Sequence, residues 1–151
     1  MSIEIREADL SDPADAAGFL LVLDAYAQSA VGGGQPLPPE VRARLVPALR
    51  DQAGAVVLLA LSERTVVGIA TCFFGFSTFA ARPLLNVHDL AVQPEFQRRG
   101  IGRALLLAAE DGGPRRLTSR SGSKVPKCRA QANAFGPRRV RAPSALLQLR
   151  A

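Results

Sequence analysis

Residues 2–7, Ser-Ile-Glu-Ile-Arg-Glu, alternate polar and apolar side chains, the period of a strand with one wet face. Ser11 or Asp12 then offers a helix cap, with Pro13 in the first turn. Ala16, Phe19, Leu20, Leu23 and Tyr26 recur at helical spacing to about Gln28. Gly32-Gly33-Gly34 ends that helix, and Pro36-Leu37-Pro38-Pro39 carries the loop onward. Glu40 opens a second helix reaching about Gln52, with Val41, Leu45 and Leu49 as its apolar stripe. Pro47 should kink this helix or end it early, because its ring clashes with the preceding turn and it has no N–H.

The pattern then changes. Residues 55–61 are a short, unbroken apolar run stopped by Ser62-Glu63-Arg64, which predicts a strand and a turn. Residues 65–76 form the next strand, paired with it as a hairpin, and residues 84–92 form a third. From Ile101 to about Asp111 the chain is again helical and strongly apolar, through Ala104, Leu105, Leu106 and Ala108. A strand, two helices, three strands and a helix make a mixed α/β order. No repeat is visible.

The junction between the last strand and the last helix holds the chemistry. In Val92-Gln93-Pro94-Glu95-Phe96-Gln97-Arg98-Arg99-Gly100-Ile101-Gly102-Arg103, two glycines sit at a helix start. Glycine lets backbone N–H groups approach a ligand with no Cβ between. The first helical amides have no internal partner, and the helix dipole adds positive character. Arg98, Arg99 and Arg103 bring full charges to the same place. A pyrophosphate suits this demand, whereas any one arginine taken alone is as well explained as a solvated surface residue. His88 and Asp89 lie just upstream. Histidine exchanges protons near neutrality, and a carboxylate binds cationic amines. On a regular strand the two point to opposite faces, so only one would reach a site.

Gln97, Gly100 and Gly102 match the Gln/Arg-x-x-Gly-x-Gly/Ala signature of the GNAT superfamily of N-acetyltransferases. The preceding strand and the Pro94 turn extend the resemblance over about residues 86–110. It implies a mixed, mostly antiparallel sheet flanked by helices. It also implies acetyl-CoA as co-substrate, with its pantetheine arm on backbone groups of Leu90, Ala91 and Val92. The pyrophosphate would lie on the loop made by Gln97, Arg98, Arg99, Gly100, Ile101, Gly102 and Arg103. A backbone N–H near Leu90 would stabilise the developing oxyanion. A primary amine would attack the thioester directly, with His88 or Asp89 removing a proton or binding the amine. Cys72, Tyr26, Phe73, Phe74 and Phe76 are read as packing residues.

The resemblance stops near residue 113. Members of that family continue with further strands and a helix, often bearing a tyrosine that protonates the leaving thiolate. Here no tyrosine follows Tyr26. Residues 1–113 carry nine Lys/Arg and thirteen Asp/Glu, a net −4, whereas residues 114–151 carry ten basic residues and no acid, a net +10. That basic tail has too few bulky apolar residues to offset its ordering entropy. The chain therefore divides into an acetyltransferase-like domain over 1–113 and an atypical tail over 114–151, with C-terminal strands expected to be missing or disordered. A shifted reading frame through residues 118–123 is one origin, since a neighbouring frame of plausible codons reads Leu-Glu-Val-Arg-Glu. A catalytically inactive acyl-CoA-binding or basic-tail interaction protein is the alternative function.

Composition narrows the partners. One histidine and the two distant cysteines, Cys72 and Cys128, give no metal-site spacing. No apolar run has membrane-spanning length, and the acidic N-terminus has no signal layout, so a cytoplasmic protein is expected. Phe135 is the only aromatic residue among the tail's charges, which argues against nucleic acid. The resemblance implies a small-molecule or protein amine as partner, and a homodimer stays open.

Overall fold

Ile3 and Ile5 turn one side of the first strand inward while Glu4 and Glu7 stay in water, as the alternation requires. The computed structural model describes residues 2–79, 81–110 and 131–132. In chain order the elements are β1 (Ile3–Glu7), α1 (Pro13–Gln28), α2 (Pro39–Asp51), β2 (Ala55–Ser62), β3 (Thr65–Ser77), β4 (Arg82–Val92), a 3-10 turn (Pro94–Phe96), α3 (Ile101–Glu110) and β5 (Gln131–Ala132). The sheet order is β1-β2-β3-β4-β5, antiparallel except for the parallel β4–β5 pair. The mixed α/β expectation holds. Apart from the two residues of β5, the tail and the domain boundary at residue 113 lie outside the described residues.

The sheet is buried on both faces. Against α3 lie Val56, Leu58, Ala60, Val67, Ala70, Cys72 and Leu85, into which Ile101, Leu105 and Ala109 pack. On the other face Val57, Leu59, Leu61, Val66, Ile69 and Ala91 meet Phe19 and Val22 of α1, with Leu45, Val46 and Leu49 of α2 beside them. Two-sided burial explains why residues 55–61 read as an unbroken apolar run and not an alternation. At Gly18 the helix α1 comes so close to β3 that an added Cβ would stand 2.5 Å from a Val66 methyl.

Asp12 caps α1 by accepting from the Ala14 amide at 3.0 Å. Of the two outcomes expected at Pro47, an early end is not observed: α2 continues to Asp51. Proline deprives Ala43 of its helical donor, but Ala43 is exposed and its carbonyl can be hydrated, while Leu45, Val46 and Leu49 hold the helix to the sheet. The two-residue turn at Glu63 and Arg64 has φ of 49° and 69°, the twist that lets β2 return directly as β3.

One ion pair joins β1 to α1. Arg6 donates to both carboxylate oxygens of Asp15, at 2.6 and 2.7 Å, and the Asp9 amide donates to the same carboxylate at 2.8 Å. Asp15 is only 3% exposed. The Arg6 hydrogen bonds hold its carboxyl below the usual carboxylate range against the opposing effect of burial. Asp15→Asn should lower unfolding free energy at neutral pH by about 2 kcal/mol, since the pair is buried on one side only. Because the folded-state pKa is depressed, this stability is present above the unfolded value of about 4 and disappears as pH falls through the folded one. Urea unfolding at pH 7 and pH 3 should therefore show a gap between the two proteins that narrows in acid.

Candidate functional site

The register of β3 on β4 decides which backbone groups are available. The Gln93 N–H donates to the Val67 carbonyl at 2.9 Å, in the register that sets Gly68 opposite Val92. Bonded and non-bonded pairs alternate along an antiparallel ladder. Ala91 therefore turns its N–H and C=O to Ile69, while Leu90 and Val92 turn theirs to the outer edge. The outward carbonyl of Val92 accepts from Gln97 Nε2 at 2.9 Å, which agrees with this assignment. Of the three residues expected to present backbone groups, Leu90 and Val92 do so; Ala91 is committed to the sheet. The outer edge is covered by β5 only at Asn86 and Val87. Beyond them, among the described residues, no strand lies against it.

The loop that follows puts bare amides at the end of this open edge. The 3-10 turn bonds Phe96 and Gln97 back to Gln93 and Pro94. Arg98 and Gly100 then adopt left-handed backbone, with φ of 60° and 79°. Left-handed residues alternating along a turn make a concave anion-binding nest of N–H groups. The first bond of α3 runs from the Ala104 N–H to the Gly100 carbonyl, so the amides of Ile101, Gly102 and Arg103 have no partner among the described residues. Arg98 and Arg103 are exposed, and the Arg99 guanidinium lies 5.5 Å from the centre of the Phe96 ring. Gln97 spends its side-chain amide on holding the loop against the end of β4.

The two glycines have different work. Gly100 needs its left-handed φ, and an added Cβ would meet no atom within 4 Å, so the space above it is open to a ligand. At Gly102 an added Cβ would make only ordinary contacts, 3.9 Å to Leu90 and 4.0 Å to Val92. Alanine fits there.

His88 and Asp89 are brought to one face, not divided between two. Asp89 lies opposite Thr71, and the register slips between Thr71 and Cys72, making His88 the extra residue of a β-bulge. Asp89 shares its face with Ala91, under α1. The His88 ring stands edge-on to Phe73, 5.6 Å between centres, and Phe73 is two residues from Thr71 on the same side. Strand alternation alone had assigned the pair to opposite faces; the bulge cancels it. His88 is exposed and Asp89 half-buried. Among the described residues the Asp89 carboxylate has no hydrogen bond or ion pair. Cys72 is fully buried on the other face, where burial and the nearby Asp89 charge push its thiol up to about 11, so it offers no thiolate nucleophile near neutrality.

These geometries separate the two glycines experimentally. Gly100→Ala should lose about 1 kcal/mol of stability to left-handed strain, while Gly102→Ala, on an unstrained helix, should gain about 0.5 kcal/mol. Thermal unfolding of both variants tests the contrast.

Comparison with known proteins agrees with the geometry. Residues 20–134 match the acetyltransferase (GNAT) family. A mycothiol acetyltransferase of Geodermatophilus obscurus is 33% identical over 147 residues, covering 97% of this chain and 44% of that protein. The chain thus spans less than half the length of that relative. Among solved structures, a GNAT family acetyltransferase of Staphylococcus aureus superposes with a TM-score of 0.64 at 16% identity, covering 99% of this chain and 100% of the other. An aminoglycoside acetyltransferase from an uncultured soil metagenomic sample gives 0.57 at 25% identity, covering 72% and 68%. With a family match over most of its length, and, among the described residues, a β4 edge free beyond Val87 that leads into a helix start with unpartnered amides, this chain belongs to the GNAT family of acetyltransferases.

Proposed function

We propose that the protein is an N-acetyltransferase that moves the acetyl group of acetyl-CoA to a primary amine by direct attack, in the cytoplasm. The observation that carries this reading is that, among the described residues, the Leu90 N–H turns to an edge of β4 with no strand against it and the amides of Ile101, Gly102 and Arg103 have no partner. These residues fit the co-substrate: a diphosphate suits the nest at Gly100, and an extended amide-bearing arm suits a strand edge. Arg98 and Arg103 supply charge beside the nest. Bound acetyl-CoA contributes the activated acetyl thioester. The Leu90 N–H, turned outward, is the donor for the carbonyl oxygen as negative charge develops on it.

The acceptor side is the face shared by His88 and Asp89. The Asp89 carboxylate, with no hydrogen bond or ion pair among the described residues, attracts an ammonium group, and it can take the proton that must leave before nitrogen attacks. His88, one residue away and in contact with water, passes that proton to solvent. The buried, protonated Cys72 favours attack without a covalent enzyme intermediate.

Calorimetric titration with acetyl-CoA, together with free-thiol release over polyamines, amino acids, aminoglycosides and peptide N-termini, tests the reading. Binding with turnover is expected. Binding without turnover favours the inactive acyl-CoA-binding alternative, and the absence of both defeats the proposal. Asp89→Asn should lower kcat/KM for the best amine by at least about 100-fold and leave acetyl-CoA affinity within about twofold. His88→Ala should cost less, because water can replace an exposed proton relay.

A further inference from the structure

Thr71 lies in the middle of β3 and is 3% exposed. Its hydroxyl oxygen is buried and has no hydrogen-bond partner among the described residues. Buried hydroxyls are seldom left this way. The positions around it are apolar: Val57 is its partner on β2, Ile69 and Phe73 flank it on its own strand, and Ala91 lies diagonally across. The exception is across β4, where the bulge sets His88 and Asp89 against this one residue. The His88 ring is turned against Phe73. Asp89 remains, half-buried, directly opposite and without a partner among the described residues.

We infer that Thr71 is a positioning residue for the acceptor amine, donating its hydroxyl proton to the Asp89 carboxylate directly or through one water. The inference rests on the reading of Asp89 as the group that meets the amine. Directly opposed residues of an antiparallel pair have Cβ atoms about 5 Å apart, a gap that one side-chain rotation or one bridging water closes. A carboxylate has two oxygens and can accept at both. A donor fixed on the sheet holds one oxygen and leaves the other facing the amine, which removes a rotation that would otherwise be frozen during binding. The bulge supports the arrangement, because it places both β4 side chains opposite Thr71.

The test compares Thr71→Val, which keeps the shape and deletes the hydroxyl, with Thr71→Ser, which keeps the hydroxyl, and with Asp89→Asn. Thr71→Val should lower kcat/KM for the amine about tenfold, chiefly by raising its KM, with acetyl-CoA affinity unchanged. Thr71→Ser should recover most of that loss. The urea midpoint of Thr71→Val should stay close to that of the parent, since the methyl fills the same space and the half-buried Asp89 carboxylate that loses its donor is still reached by water. If Asp89→Asn impairs the enzyme and Thr71→Val does not, the role of Thr71 is overturned while that of Asp89 stands. If Asp89→Asn is fully active, the reading of Asp89 itself fails. Should no amine be turned over, the carboxyl carbon resonance of Asp89 in selectively labelled protein gives the answer. Thr71→Val should move it and Thr71→Ser restore it, and an unmoved resonance overturns the inference.

Discussion

The antiparallel register between β3 and β4 governs everything at this site. The bond from the Gln93 N–H to the Val67 carbonyl sets its phase. From that phase follow the commitment of Ala91 to the sheet and the outward turn of Leu90 and Val92. A slip of one residue would reverse the assignment and carry Ala91 from one core to the other. Both cores therefore enforce the register. Ile69 and Ala91 need the α1 face, and Ala70 and Cys72 need the α3 face.

The bulge at His88 shows how a sheet aims side chains it could not otherwise aim. One extra residue leaves the pairing intact on either side, from Gly68·Val92 to Thr71·Asp89 and again from Cys72·Val87. Between them it lets two chemically different side chains, one exposed and one half-buried, share a face.

The end of β4 and the start of α3 work as one unit because short bonds tie them. Gln93 is anchored to β3 by its backbone N–H and by its side chain on the Val66 carbonyl at 3.2 Å, and Gln97 reaches back to Val92. Ile101, Leu105 and Ala109 fix the helix onto the sheet. The left-handed turn at Arg98 and Gly100 is thus held from both ends. Bare amides on a rigid mount lose little entropy when an anion arrives.

Much of this was legible in the residues. Helix α1, the apolar strands and the glycine-bearing loop follow from local pattern and cap chemistry, because side-chain period, proline and glycine act within a few residues. The motif Gln97-Arg98-Arg99-Gly100-Ile101-Gly102 also marked the loop whose following amides have no partner among the described residues, since helix starts and glycine backbones act locally. The passage of α2 through Pro47 was not legible, because it depends on which side of the helix meets water. Nor were the bulge at His88, the inward turn of Ala91, the different demands of Gly100 and Gly102, or the buried hydroxyl of Thr71. Each of these depends on which residue of another strand or helix lies opposite. Local sequence determined which elements form and where glycines meet a helix start; register between distant strands, set by burial on both faces of the sheet, decided which groups turn to the edge of β4 and which side chains share a face.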